Sequence, residues 1–233
     1  MKNIKAVVFD AGYTLLKPSK DEWFIPDGIF DIVDEKSFRA LDKESYKRAY
    51  GAGYDFLDVI HDDVKTEEKE YEQFLGFYKA FSKEVPQLGW DDEICKKLSF
   101  DHTYNDKKFV FYDDTKTCLE KLKGKYLLGV LSDTWPSLDR IFRNYGIRDY
   151  FDAFVLSCDV GVFKPDEKIY RALIDAIGVE AESIVFVDDV LKNLDGAKAL
   201  GINPVQILRE DFPKGNYPTV SNLDELIKLL ENI

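Results

Sequence analysis

Polar residues with catalytic potential follow the short apolar runs of this sequence, at residues 6–9, 127–131, 154–156 and 184–187. Carboxyl ends of parallel strands meet at one edge of an open sheet, where ligands bind, so side chains that follow different runs are expected to converge there. These side chains belong to Asp10, Ser132, Asp133, Lys164, Asp188 and Asp189.

Three converging carboxylates constrain the chemistry of such a site. Two like charges at 4 Å repel by about 4 kcal/mol at an effective dielectric near 20, so either a proton or a cation must lie among Asp10, Asp188 and Asp189. Mg²⁺ fits, because it prefers oxygen ligands and leaves a position for a phosphate oxygen. Lys164 adds positive charge, and Ser132 and Thr14 add hydroxyl donors. This set is suited to phosphoryl transfer through an aspartyl intermediate.

The elements that must position these residues are strands buried on both faces, alternating with helices. The apolar runs are nearly continuous, as in parallel sheets, and residues 204–208 form a further run. Helical periodicity covers residues 135–145, 166–177 and 191–200, and a closing helix is predicted at 221–232, with Ser221 and Asp224 at capping-box spacing. The pattern predicts the α/β class, with a doubly wound, Rossmann-like parallel sheet.

A long interval without a convincing strand run separates Thr14 from Val110. Connections between strands and helices usually take about 2–6 residues, so this interval must be a folded unit. Aromatic residues recur at helical spacing in 66–82, and residues 92–100 continue the pattern. We predict an α/β core at 1–15 and 108–233 and a helical cap at 16–107. The acidic run 66–72 is expected to be a solvated helix face, and His61 and His102 are expected to be surface or packing residues rather than zinc ligands.

The composition excludes several classes of partner. Thirty-two Lys and Arg against 44 Asp and Glu give a net charge of −12, which argues against nucleic acid and anionic membranes. No apolar run reaches the ~18 residues of a spanning helix. The 3 cysteines are widely spaced, which favours a reducing, cytoplasmic location. We expect a small phosphorylated substrate and a monomer or homodimer.

Four motifs of this chain resemble those of the haloacid dehalogenase superfamily, in which phosphatases predominate. In order they are VVFDAGYTLL with Asp10, VLSDTW with Ser132, VGVFKPDEKIY with Lys164, and IVFVDDVLKNLDGAKALG with Asp188. The long insertion after the first motif is similar to the family's helical cap. The resemblance spans Asp10 to Gly201 and implies a hydrolase with a Rossmann-like core.

The resemblance also implies roles for single residues. Asp10 would be the nucleophile and a metal ligand, with the Gly12 carbonyl and Asp188 as further Mg²⁺ ligands and Asp189 beside them. Ser132 and Lys164 would hold the phosphoryl oxygens, and Lys164 would also neutralise Asp10. The other residues expected at the substrate site are Gly12, Tyr13 and Asp133, and Thr14 is expected to be catalytic. Asn193 stands where relatives often have another Asp and would support the metal ligands.

Gly12 departs from the phosphatase pattern, which has a second Asp at this position to protonate the leaving group. General acid–base assistance is typically worth about 10²–10⁴-fold, so a slow phosphatase is expected unless Asp133, Tyr13 or a cap residue substitutes. Two alternatives follow: a 2-haloacid dehalogenase, which needs no metal, and a nearly silent phosphate-binding protein. A route through a cap lysine imine is disfavoured, because no cap lysine has a marked apolar setting. The Asp188–Asp189 pair favours the phosphatase.

Overall fold

The computed structural model describes residues 3–20, 22–25, 28–59 and 64–232, and His61 lies outside them. It separates into two compact units. The first comprises Met1–Lys17, Val110–Thr134 and Leu138–Ile233, and the second comprises Pro18–Phe109 and Trp135–Ser137. The division predicted from sequence falls at 15/16 and 107/108. Trp135–Ser137, which that division assigns to the core, group instead with the second unit because Glu70 and Gln73 hydrogen-bond to them.

The first unit contains a parallel six-stranded sheet, as the apolar runs predict. Its order is β5 (Ala153–Leu156), β4 (Leu127–Ser132), β1 (Ala6–Phe9), β6 (Ile184–Asp188), β7 (Asn203–Ile207) and β8 (Thr219–Val220). The β1 strand lies between β4 and β6, with Phe9 in register with Val130 and Val187. Consequently the strands that carry the candidate residues are neighbours and end together.

Helices accompany this sheet. They are α6 (Asp114–Leu122), α7 (Ser137–Asn144), α8 (Ser157–Val160), α9 (Glu167–Ile177), α10 (Leu191–Ala199) and α11 (Leu223–Glu231). Ile169, Tyr170 and Leu173 of α9 are fully buried in one apolar cluster with Val8 and Phe186 of the sheet. Burial of each such apolar side chain stabilises the folded state by about 1.5–3 kcal/mol.

The closing helix begins differently from the prediction. Asn222, not Ser221, caps α11: its side chain accepts the Glu225 N–H at 2.9 Å, and the Glu225 carboxylate accepts the Ser221 N–H at 2.7 Å. The observed capping pair, Asn222 and Glu225, therefore lies one residue after the predicted pair, Ser221 and Asp224. Asn is as good a cap as Ser, so the side chain that faces the first turn decides the boundary.

Among its described residues, the second unit is mostly helical: α1 (Ile29–Ile32), α2 (Glu35–Arg39), α3 (Lys43–Val59), α4 (Glu67–Glu84) and α5 (Asp92–Tyr104). Phe74, Phe77, Tyr78 and Phe81 of α4 are fully buried, which follows from their three- and four-residue spacing. His102 is buried with its ring centroid 3.7 Å from that of Phe74, so it is a packing residue. Short strands β2 (Leu16–Pro18) and β3 (Phe109–Phe111), absent from the prediction, pair with each other.

A buried ion pair corrects the prediction for the acidic run. Glu70 is fully buried, whereas the run 66–72 was expected to be a solvated face. Its carboxylate accepts hydrogen bonds from Lys108 Nζ at 3.3 Å, from Ser137 Oγ at 2.6 Å and from the Ser137 N–H at 2.8 Å. Glu70 lies on the same face of α4 as Phe74 and Phe77, because residues three, four and seven positions apart share a helix face.

Candidate active site

The site is built at the carboxyl ends of β4, β1 and β6. Asp10 follows β1 directly and its N–H donates to the Val187 carbonyl at 2.8 Å, which continues the ladder. Ser132 is the last residue of β4 and is buried, and Asp188 is the last residue of β6 and is fully buried. The predicted convergence of separate strand ends is therefore present in the fold.

Lys164 joins two of these carboxylates. Its Nζ atom donates to Asp10 Oδ1 at 2.7 Å, to Asp188 Oδ2 at 2.8 Å and to the Leu131 carbonyl at 3.2 Å. The side chain is 1% exposed. Its backbone N–H donates to Asp133 Oδ1 at 2.9 Å, which fixes the point from which the side chain enters the site. An ammonium with three acceptors uses all three of its donors.

The charges of the site perturb one another. Burial raises the pKa of Asp10, against the lowering effect of Lys164, and the negative charge of Asp188 raises it further. Burial and the neighbouring Asp10 and Asp188 also raise the pKa of Asp189. Although burial by itself lowers the pKa of Lys164, the carboxylates of Asp10 and Asp188 raise it above its ordinary value. Lys164 is therefore a fixed positive charge, and the carboxylates exceed it in number.

Asp188 is held as an acceptor by several donors. Besides Lys164, the Val190 N–H donates to its Oδ1 at 2.7 Å, and Asn193 Nδ2 donates to its two oxygens at 3.2 and 3.0 Å. Tyr170 donates to the Asn193 carbonyl at 2.8 Å. Asn193 thus orients Asp188, in the supporting position expected from sequence.

The carboxylates fit a divalent cation. One oxygen each of Asp10, Asp188 and Asp189 lie within 4.8 Å of one another, and all three residues are buried. Lys164 offsets one of the three negative charges, and a divalent cation would offset the remaining two. Because oxygen donors suit a hard cation such as Mg²⁺, this part of the chain has the composition that such an ion requires.

The loop after β1, residues 11–15, carries the other residues of the first motif and is called the first-strand loop below. Tyr13 has a φ of +49°, which is uncommon for a side chain of this size. Its ring packs edge-on against Phe212 at a centroid distance of 5.2 Å. Thr14 is fully buried, and its Oγ1 has no hydrogen-bond partner within the described residues. Gly12 forms a backbone bridge with Leu16 and offers no side chain for acid–base chemistry.

Of the residues expected to replace the missing acid, Asp133 is hydrogen-bonded to a residue of the site, Lys164. Its Oδ1 accepts the Lys164 N–H, and burial raises its pKa. A raised pKa suits a carboxyl group that must donate a proton near neutral pH. Tyr13 lies in the first-strand loop, next to Gly12.

Arg209 and Gln206 were missed by the sequence reasoning. Arg209 Nε donates to the Thr14 carbonyl at 3.0 Å, and the fully buried Gln206 donates to the Asp189 carbonyl at 3.2 Å. Gln206 lies in the carboxyl half of β7, and Arg209 follows two residues after the end of that strand. The strand-end rule that selected Asp10 and Asp188 also selects Arg209, which follows the 204–208 run directly, but not Gln206, which lies within that run.

Comparison with known proteins identifies the family. The family model of haloacid dehalogenase-like hydrolases matches residues 4–201. The chain therefore belongs to the haloacid dehalogenase-like hydrolases, as the resemblance of the four motifs implies. No helix of the described residues combines the length and apolar character needed to cross a membrane.

Relatives include phosphatases and dehalogenases. The glyceraldehyde 3-phosphate phosphatase of Methanopyrus kandleri is 27% identical over 90% of this chain and 86% of its own length. Among solved structures, a HAD phosphatase from Thermococcus onnurineus (27% identity, 97% of this chain and 98% of that one, TM-score 0.64) shares the fold. A dehalogenase at 24% identity shares it with a TM-score of 0.68, covering 98% of each chain.

Other curated relatives are matched over less of their length. The chain spans 62% of the glyceraldehyde 3-phosphate phosphatase of Methanocaldococcus jannaschii, at 32% identity over 56% of this chain. It spans 28% of the bifunctional epoxide hydrolase 2 of Sus scrofa, at 26% identity over 64% of this chain.

Proposed function

We propose that this protein is a Mg²⁺-dependent phosphatase that hydrolyses a small phosphomonoester through an aspartyl-phosphate on Asp10. The observation that carries the proposal is the buried group of three carboxylates around Lys164 Nζ, with Asp10 and Asp188 both bonded to the ammonium. An excess of buried negative charge beside one fixed ammonium is costly unless a cation completes the site.

The reaction begins at Asp10. Its Oδ1 is held by Lys164, which leaves Oδ2 for attack on phosphorus. The P–O bond to the leaving alcohol breaks as the Asp10–phosphorus bond forms, and the leaving oxygen takes up a proton. Water then cleaves the aspartyl-phosphate, which releases inorganic phosphate and restores the Asp10 carboxylate. Ser132 donates to the phosphoryl oxygens during both steps, and Lys164, whose three donors are occupied, attracts these oxygens through its positive charge.

Mg²⁺ would be held by Asp10, the Gly12 carbonyl and Asp188, with Asp189 beside them, and when bound it supplies positive charge to the phosphoryl oxygens. Gln206 keeps the Asp189 peptide in place through its carbonyl. Asn193 keeps Asp188 turned toward Lys164 and the site.

The leaving group's proton comes from a residue other than that at position 12. Asp133 has a raised pKa and is bonded to the Lys164 backbone, which supports it as the donor. Because the usual acid is absent from the first-strand loop, we expect slow turnover, and Gly12→Asp should raise kcat by up to about 10²-fold. An unchanged or lower kcat in Gly12→Asp would argue against a limiting proton transfer.

Hydrolysis of an aryl phosphate tests the proposal. Release of the phenol should require Mg²⁺, stop with EDTA and fall below detection in Asp10→Asn. The matched control is Asp175→Asn, the same substitution at an exposed position of α9, which should leave the rate unchanged. Undiminished turnover in Asp10→Asn would reject Asp10 as the nucleophile. A panel of natural phosphomonoesters should then be assayed, and it should include glyceraldehyde 3-phosphate, because two relatives are named glyceraldehyde 3-phosphate phosphatase.

A 2-haloacid dehalogenase is the second candidate function, because Gly12 removes the phosphatase acid while Lys164 holds Asp10 in place for attack on a carbon electrophile as well. Chloride release from a 2-haloacid that persists in EDTA would support this candidate, and strict Mg²⁺ dependence would reject it. A nearly silent phosphate-binding protein would instead show thermal stabilisation by phosphate without turnover. Gly12→Asp separates that outcome from a slow enzyme.

A further inference from the structure

Arg209 binds the first-strand loop although the two are 195 positions apart. Its Nε donates to the Thr14 carbonyl at 3.0 Å, while Nη1 and Nη2 donate to the Asp114 carboxylate at 3.1 and 2.8 Å. The Arg209 side chain is 7% exposed. A planar guanidinium that forms two bonds to one carboxylate has a fixed orientation, so the direction of its Nε–H is fixed as well.

Several segments of the first unit hold this guanidinium. Asp114 is the first residue of α6, and its Oδ2 also accepts the Leu223 N–H at 2.9 Å. The Tyr112 ring centroid lies 3.9 Å from Arg209 Cζ, within the range of a cation–π contact. The position of the Thr14 carbonyl is thereby tied to the segment after β7, to α6 and to the start of α11.

The first-strand loop has a conformation that benefits from such support. Tyr13 has a φ of +49°, a backbone region that costs free energy for a residue with a large side chain. The Thr14 carbonyl follows this residue directly. The next carbonyl, of Leu15, is also held from outside the loop, by the Tyr112 N–H at 3.0 Å and Thr115 Oγ1 at 2.8 Å.

Backbone hydrogen bonds within the loop connect the Thr14 peptide to the neighbour of Asp10. The N–H groups of Thr14 and Leu15 donate to the Ala11 carbonyl at 3.3 and 2.9 Å. A change in the Thr14 peptide is therefore transmitted to Ala11, which follows Asp10. Thr14 also carries a buried hydroxyl, which has no hydrogen-bond partner within the described residues.

We propose that Arg209 is a positioning residue for Asp10: through the Thr14 carbonyl it holds the first-strand loop in the conformation in which Tyr13 has positive φ. The proposal rests on Asp10 as the reacting group of the proposed function, and it applies to either a phosphorus or a carbon electrophile. In this proposal Arg209 acts through the Thr14 carbonyl and not by contact with the substrate or the metal. Its loss is expected to lower kcat and to leave KM nearly unchanged.

Arg209→Lys tests the geometry apart from the charge, because an ammonium cannot bond both Asp114 oxygens and the Thr14 carbonyl in one plane. We expect kcat for an aryl phosphate to fall by about 10²-fold, the size of effect that a displacement near 1 Å produces, with KM changed by less than about threefold. Asp114→Asn, which retains Arg209 but weakens its anchor, should lower kcat by a smaller factor. Arg171→Lys, on the exposed face of α9, is the control.

The decisive comparison is a double-mutant cycle with Tyr13→Asn. Asn adopts positive φ more readily than Tyr, so the loop should depend less on Arg209 in that background. The factor by which Arg209→Lys lowers kcat should be at least about threefold smaller in the Tyr13→Asn background than in the wild-type background. The cycle measures this difference as the interaction between the two positions. Equal losses in both backgrounds, or a loss confined to KM, would overturn the proposal.

Hydrogen exchange separates failure of this inference from failure of the proposed function. In Arg209→Lys, the amides of residues 13–16 should exchange faster while those of β1 and β6 keep their protection. This measurement needs no substrate. If the wild-type protein hydrolyses no phosphomonoester, the proposed function fails but the exchange result still decides the loop's dependence on Arg209. Unchanged exchange at residues 13–16 would overturn the inference even in an active phosphatase.

Discussion

Replacement of Glu70 by Gln tests how much the buried ion pair of the second unit contributes to stability. The Glu70 side chain is fully buried and that of Lys108 is 6% exposed, so solvent screens the pair little. The carboxylate accepts one hydrogen bond from Lys108 and two from Ser137. The amide of the Glu70→Gln variant has a single acceptor oxygen, and its NH₂ group would face a donor.

The expected cost follows from these contacts. Removal of one partner from a buried pair costs about 3–5 kcal/mol, because it leaves an uncompensated buried charge on Lys108. For a unit of about 100 residues, 1 kcal/mol corresponds to a shift in Tm of roughly 4–8 °C. Glu70→Gln should therefore lower the unfolding midpoint of the second unit by at least about 12 °C.

Intrinsic tryptophan fluorescence provides the assay. All 3 tryptophans, Trp23, Trp90 and Trp135, belong to the second unit, so their emission during thermal or urea unfolding reports on that unit. The matched control is Glu35→Gln, which breaks the 2.7 Å pair with Arg39 on α2, where both side chains are more than half exposed. Exposed pairs contribute about 0–1 kcal/mol. Equal shifts in Glu70→Gln and Glu35→Gln would refute the reasoning.

Two further predictions concern the second unit and use the same fluorescence. Burial, together with the nearby Lys108, holds the pKa of His102 in the folded unit well below 6.5, its ordinary value. As the pH falls below about 6.5, the unfolded chain takes up a proton at His102 that the folded unit does not take up. The free energy of unfolding therefore falls by about 1.4 kcal/mol per pH unit below about pH 6.5. His102→Gln should flatten this decline between about pH 7.5 and about pH 5.5, and an unchanged slope would contradict it. On α3, Gly53→Ala places a Cβ 2.6 Å from the buried Phe77 ring and should destabilise by about 1–3 kcal/mol. Gly51→Ala meets nothing within 4 Å and should stabilise by up to about 1 kcal/mol, so equal effects at the two glycines would refute the packing argument.

Local patterns predicted the elements of the sheet closely. The apolar run at 184–187 corresponds to β6, which extends one residue further to Asp188, and the run at 127–131 corresponds to β4, which extends to Ser132. Helix ends were also close, since Asp166 and Thr66 cap α9 and α4 through side chains that accept the first-turn N–H groups. Such features depend on residues adjacent in the chain, which is why a sequence pattern carries them.

Hydrophobic periodicity did not predict the shortest strands. The β2, β3 and β8 strands contain two or three residues each, too few for a hydrophobic period to register. The burial of Glu70 was missed for a related reason. The residues around it, Glu67–Lys69 and Glu72, are charged. Only the contacts of Lys108 and Ser137 with its carboxylate make a buried charge tolerable at that position.

The order of amino acids was enough to predict the parallel sheet, the family and the group of polar residues at the strand ends, because alternating buried strands and helices leave few arrangements open to a chain. The family resemblance already implied that Lys164 neutralises Asp10 and that Asn193 supports the metal ligands, but the individual contacts are decided by the packed chain. Packing brings Lys164 between Asp10 and Asp188, turns Asn193 toward Asp188, and lays Arg209 against the Thr14 carbonyl. The direction of a side chain, and the few ångströms that separate a bonded pair from an unbonded one, depend on contacts between residues far apart in the chain.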